Sequence, residues 1–365
     1  MSVKERIFAH PPAPGPVQFD ERFEAWVVSR HADVRRILSD HAAFSSDELA
    51  HGAHPAPHHD NPVLRSLPSL DPPRHHELRR LVARVFTPRA VSALEPSIAE
   101  TARELLVEGS GEVVDGFASP LTVATLAGLL GISPERRADF VRWTITISEF
   151  AGANAEDPVR QARFHQDLTE LRTCIREVVA EPRGGMIPAL AAALDESELL
   201  DLATTLIVMG HETTTRLIYH AVLCLERFPT APTPGLVEEV LRYLPPVGGT
   251  ERFTTAQVDV DGVTIPPGAR VVASIRRANR DPLVFAAPDA FDATRDPNPH
   301  LSFGTGIHVC LGLRLATSQA AVAIRALRKA FPGRWRVPED GLEATISPVG
   351  VDIQRMRLIT QRSEL

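Results

Sequence analysis

The sequence predicts a mainly α protein with a minor β portion. Apolar residues recur at helical period from about residue 79 to 227, a second helical run follows Gly312, and strand signals are confined to two short stretches. The first stretch is Trp26 to Val28 and the second is Gln257 to Ser274. Within the second, Val258 and Val260 alternate with polar residues, Asp261-Gly262 supplies a two-residue turn, and Val263 and Ile265 resume the alternation, which reads as a hairpin. Val271 and Val272 continue the strand signal after the Pro266-Pro267-Gly268 turn. Leu199 to Leu225 reads as one long apolar helix. Leu313, Ala316, Ala320, Ile324, Leu327 and Phe331 fall at helical spacing until Pro332-Gly333 ends the run. Residues 1–20 read as an extended N-terminal arm. Between Phe44 and Leu70 the turn-rich, aperiodic segment around His51, His54, His58 and His59 reads as a surface loop. No Ser/Gly-rich or charged linker divides the 365 residues, and there is no internal repeat, so residues 1–365 read as a single domain.

Composition narrows the function classes. A formal net charge of −7 argues against nucleic acid or an anionic membrane as partner. No apolar run reaches the ~18 residues of a membrane span, and the N-terminus has no apolar leader core. These features predict a soluble, cytoplasmic, monomeric protein. Three cysteines, Cys174, Cys224 and Cys310, are too few and too scattered for a disulfide framework. Cys174 and Cys224 lie in helical patterns and read as core.

Cys310 is different, because of the residues around it. In Phe303-Gly304-Thr305-Gly306-Ile307-His308-Val309-Cys310-Leu311-Gly312, Gly304 and Gly306 can take positive φ and bring bare backbone close to a flat ligand. Phe303 can shield one side of a sulfur from water. The helical run that follows puts Cys310 at a helix N-terminus, where the dipole favours a thiolate. This segment resembles the cysteine-ligand loop of the cytochrome P450 family. The likeness runs in order over roughly residues 20 to 335 and includes Trp26 to Val34 and Ala278-Asn279-Arg280-Asp281-Pro282.

The resemblance implies a P450-like fold, with a long central helix over haem b (iron protoporphyrin IX) and the cysteine-ligand loop beneath it. Cys310 would be the axial metal ligand, with Phe303, Gly304 and Gly312 framing it. Burying the two haem propionates is costly unless cationic donors meet them. His308 in the ligand loop, His75 and Arg79 at i and i+4 of one helix face, and Arg252 after Pro245-Pro246 match the family's propionate-binding positions, with His76 and Arg80 the neighbours a shifted reading would choose instead. The run Val208-Met209-Gly210-His211-Glu212-Thr213-Thr214-Thr215 is polar inside an apolar helix and resembles the family's oxygen-activating motif. Activating dioxygen at haem needs two protons, so Glu212 and Thr213 are the implied catalytic pair. Met209 stands where a small alanine is common. Glu239, Arg242 and Arg295 match a buried structural network of the family. By analogy the substrate pocket includes Met209, Val247, Gly248 and Val349, an apolar lining suited to a hydrophobic organic molecule.

The function implied is a haem-thiolate monooxygenase that inserts one oxygen atom from dioxygen into a hydrophobic small molecule, by hydroxylation or epoxidation in a biosynthetic pathway. Electrons would come from a ferredoxin or flavodoxin-type donor with its reductase. The alternatives are a peroxide-driven or oxidative-coupling enzyme on the same scaffold, and a non-catalytic haem-binding protein.

Overall fold

A computed structural model of the chain describes residues 1–9, 15–51, 62–84, 86–108, 111–152, 157–182, 184–347 and 350–361. Helices dominate, and the described strands form one five-stranded sheet and three two-stranded ribbons. In the larger sheet the order is Val17–Asp20, Ala25–Val28, Arg270–Ala273, Thr250–Thr254 and Phe44–Ser45. Only the Ala25–Val28 and Arg270–Ala273 pair is parallel, so the chain start is stitched to a strand more than two hundred residues later. The expected hairpin forms as Val258–Val260 against Val263–Ile265, with Asp261 and Gly262 both at positive φ, the geometry of a type I′ turn.

The central helix, Glu196–Arg227, spans 32 residues. Asp195 caps it by accepting the Glu198 N–H, Glu196 and Glu198 sit in its first turn, and Arg227 in its last, each charge placed to suit the helix dipole. It packs against Ser119–Leu130 and against Leu313–Ala330, which in turn lies on Pro88–Glu108. These helices enclose the main core, where side chains such as Trp143, Phe117, Phe140 and Leu121 are fully buried. Each buried residue of the Leu or Phe kind contributes about 1.5–3 kcal/mol. A smaller core beneath the sheet joins Val28, Val34, Ile37, Val271 and Ala273.

Two expectations need correction. Residues 1–20 are not an extended arm: Val3–Phe8 is a helix whose start is fixed by a reciprocal capping box between Ser2 and Glu5, and Val17–Asp20 is a sheet strand. Arg276 donates to the Ile7 and Ala9 carbonyls at the end of that helix, and Lys4 pairs with Glu226, so long-range polar contacts hold a segment whose own periodicity is too short to read. Of the expected 44–70 loop, Glu48–His51 is helical, Pro62–Arg65 and Leu67–Ser69 are 3₁₀ turns, and residues 52–61 lie outside the described residues.

Candidate active site

The loop carrying Cys310 is closed by its own backbone. The Cys310 N–H donates to the Phe303 carbonyl at 2.9 Å, and Gly304 and Gly306 take φ of +68° and +71°. Gly306 is also constrained by space, since a Cβ there would stand 2.7 Å from Ser39 Cα. Gly306–His308 forms a 3₁₀ turn. The helix begins at Leu313, with Gly312 as its N-cap and no side-chain oxygen serving as cap. The Cys310 sulfur lies at this helix start, where the Gly312 and Leu313 N–H groups favour its negative charge. The residue keeps exposed surface, yet the protein packed around the sulfur desolvates it and pushes the thiol up, while those N–H groups and Arg79 favour the thiolate. Cys310 is exposed, whereas Cys174 and Cys224 are buried, with the Cys174 thiol pushed up to about 11 by desolvation.

Beside this loop lies a cluster of basic side chains brought together from three parts of the sequence. His75 and Arg79 come from the helix Arg74–Ala83, Arg252 from a sheet strand, and His308 from the cysteine loop. The His75 and His308 rings are 4.3 Å apart by centroid. Arg79 donates to the Val309 carbonyl at 2.6 Å, Arg252 to the Glu251 carbonyl at 2.6 Å, and His308 Nε2 meets Ser46 Oγ at 3.1 Å. His75 is fully buried, and neither of its ring nitrogens has a hydrogen-bond partner among the described residues. No carboxylate ion-pairs with any of the four among the described residues. Desolvation, with the neighbouring cations, drives His75 down to about 4 and His308 to about 3, and desolvation lowers Arg252 to about 10. Two guanidiniums and two neutral imidazoles, with both His75 ring nitrogens unpartnered and no ion-paired carboxylate among the described residues, make a site for an anion.

The central helix supplies a second feature. Between Leu199 and Leu225 it is buried almost all round, except at Leu206, Met209, Gly210, Glu212, Thr213 and Arg216. At about 100° per residue these positions fall on one side, a stripe roughly 160° wide. Met209, 43% exposed, is an apolar side chain left open on an otherwise apolar-buried helix. The opposite side is packed against Ser119–Leu130: His211 Nε2 meets Ser119 Oγ at 2.9 Å, and Thr215 donates to Thr122. A Cβ at Gly210 would stand 2.8 Å from Leu126 Cδ2. Close helix packing therefore explains this glycine. On the open stripe, Thr213 Oγ1 donates to the Met209 carbonyl at 2.6 Å, and Glu212 pairs with Arg216 one turn on.

Glu239, Arg242 and Arg295 do meet. Arg242 has no exposed surface and spends all five N–H donors: two on Glu239, at 2.8 Å each, and the rest on the carbonyls of Asn279, Pro288 and Ala290. Glu239 also accepts from Asp292 N–H and Asn298, and Arg295 Nε stands 3.4 Å from it. The network thus ties the helix Leu236–Tyr243 to the irregular chain that leads into the cysteine loop. Val247 and Gly248 lie in the link between that helix and the sheet, where the Gly248 carbonyl accepts the Arg276 N–H at 2.9 Å. Val349 lies outside the described residues.

The cytochrome P450 family model matches residues 233–346, the part holding Glu239, Arg242, Arg252 and Cys310. Cytochrome P450 107B1 of Saccharopolyspora erythraea is 34% identical over 337 residues, covering 85% of this chain and 82% of that protein. The chain belongs to the cytochrome P450 family. The erythromycin C-12 hydroxylase of the same organism is 36% identical over 347 residues, 88% of this chain and 85% of that protein. Among solved structures, the post-tailoring hydroxylase HmtN involved in himastatin biosynthesis superposes with a TM-score of 0.84 at 32% identity, covering 98% of this chain and 97% of that one. This P450 is a monooxygenase whose cofactor is haem b, and it works with a redox partner, dioxygen and a hydrophobic substrate. Among the described residues no helix is long and apolar enough to cross a membrane.

The residues present fit haem. The unpartnered His75 nitrogens and the basic cluster suit the propionates, and the sulfur at the helix start suits iron. Three residues of the site escape sequence reasoning. Arg216 is readable in retrospect, as the i+4 partner of Glu212. Ser46 and Asp352 are not, because each joins the site through a contact made only on folding, with His308 and with Arg216.

Proposed function

We propose that this P450, a single domain over residues 1–365, hydroxylates or epoxidises the hydrophobic scaffold of a secondary metabolite. Bound haem supplies the one-electron and dioxygen chemistry. Cys310 holds its iron as thiolate, and the two N–H groups on the sulfur keep that charge in place. His75, Arg79, Arg252 and His308 clamp the propionates. The open stripe of the central helix would border bound haem. Thr213, whose proton is committed to the Met209 carbonyl, offers lone pairs and would hold a water there as acceptor. Glu212 carries protons toward it. Met209, Val247, Gly248 and Val349 contribute to the substrate wall.

The observation that carries this reading is the open stripe, which leaves an acid, an alcohol and a thioether accessible in the middle of a buried helix. A non-catalytic haem carrier has no need of such a stripe. The likeness to proteins named for erythromycin and himastatin pathways supports the substrate class. Electrons are supplied by a ferredoxin or flavodoxin-type protein in the cytoplasm, and the enzyme acts as a monomer.

The Thr213→Ala variant tests the catalytic pair. Product formed per electron pair is expected to fall about tenfold or more, with the balance appearing as hydrogen peroxide, while Thr213→Ser retains coupling. Unchanged coupling in Thr213→Ala would remove Thr213 from proton delivery. Optical titration of the haem-loaded protein with macrolide and cyclic-peptide metabolites tests the substrate class.

A further inference from the structure

The open stripe ends at Arg216, and this guanidinium touches two carboxylates from different elements. Its Nη2 contacts Glu212 Oε1 on the same helix, and its Nε stands 3.5 Å from Asp352 Oδ1 on the strand Gly350–Met356 of the C-terminal hairpin. That Nε is buried and has no hydrogen-bond acceptor, because 3.5 Å at this geometry falls short of one. Asp352 is half exposed and is held by Tyr219 Oη at 3.4 Å and Gln354 Nε2 at 2.9 Å. Tyr219 in turn accepts the Ile353 N–H at 3.3 Å, so the hairpin is pinned to the central helix one turn beyond Arg216. The hairpin ladder shifts register between Ile353 and Arg355, next to this contact.

We propose that Arg216 is a positioning residue shared between Glu212 and Asp352, so that the C-terminal hairpin governs where the Glu212 carboxylate points and which charge it meets. The inference rests on the proton-delivery role of Glu212 given above. A small approach of the hairpin completes the Nε to Asp352 hydrogen bond and draws the guanidinium off Glu212. Retreat returns it. A solvent-accessible i, i+4 pair is weak enough for one carboxylate to displace another.

The charged groups that act on Glu212 are Arg216 from its own helix and Asp352 from the hairpin. Tyr219 bears on both of these, and His211 points away onto Ser119. Burial raises the Glu212 carboxyl above the usual carboxylate range; Arg216 lowers it, and Asp352 raises it. The two partners thus act with opposite sign.

The test is pH-difference infrared spectroscopy of the haem-loaded protein, with the Glu212 carboxyl band identified by its loss in Glu212→Gln. In Arg216→Gln the protonation midpoint of that band moves to higher pH. In Asp352→Asn it moves to lower pH, and Arg216→Lys stays near the parent protein. A purely structural role would give no such opposed pair of shifts. Midpoints that stay fixed, or move the same way in both variants, overturn the proposal. If either variant fails to fold, the direction seen in the other decides. Thr213→Ala separates the two ideas: retained coupling there with opposed shifts here would remove the relay and leave the positioning role standing.

Discussion

Replacing Cys310 by serine is expected to leave the fold standing and to remove the enzyme's chemistry. The residue is exposed and lies in a loop closed by backbone hydrogen bonds, and a serine oxygen can accept the same Gly312 and Leu313 N–H groups. Stability should therefore change by no more than about 0.5 kcal/mol, the usual range for a surface substitution. Haem affinity should fall by more than the roughly 10–100-fold typical of changes behind the metal's own ligands, since here the ligand itself is lost. Oxygen insertion should disappear, because a neutral hydroxyl cannot push electron density onto iron as a thiolate does. Haem titration and urea unfolding on the same preparation check both halves. Retained monooxygenation by Cys310→Ser would contradict the assignment.

The second large effect lies away from the chemistry. Arg242→Leu removes five hydrogen bonds and strands the Glu239 carboxylate in a site with almost no exposed surface. Breaking one partner of such a buried pair costs about 3–5 kcal/mol. Arg295 at 3.4 Å offsets part of this, so the lower end is expected. The double variant Glu239→Leu/Arg242→Leu should lose less than the sum of the two singles, because neither charge is then left alone. Urea unfolding of the three variants measures the difference. Strict additivity would show that the two side chains contribute independently.

The fold was legible where it rests on local chemistry. The Asp261-Gly262 turn, the helix stopped by Pro332-Gly333 and the long apolar helix around Glu212 all depend on neighbours in sequence. The N-terminal helix was missed because six residues give less than two turns of pattern, and its docking depends on Arg276 and Glu226. At the site, the Cys310 loop was readable because its glycine and helix-start requirements sit within ten residues. The partners of Glu212 and His308 were not: Asp352 and Ser46 reach them only through tertiary packing. Gly210 shows a further limit, since a residue unusual in a helix reflected the nearness of Leu126, a contact no period or motif encodes.

All of this depends on a sulfur–iron bond at position 310. The most direct measurement is the absorption spectrum of the haem-loaded, reduced protein under carbon monoxide. A strongly red-shifted Soret band, the signature of thiolate ligation, is the expected result. An unshifted band, or a protein that takes up no haem, would contradict the account.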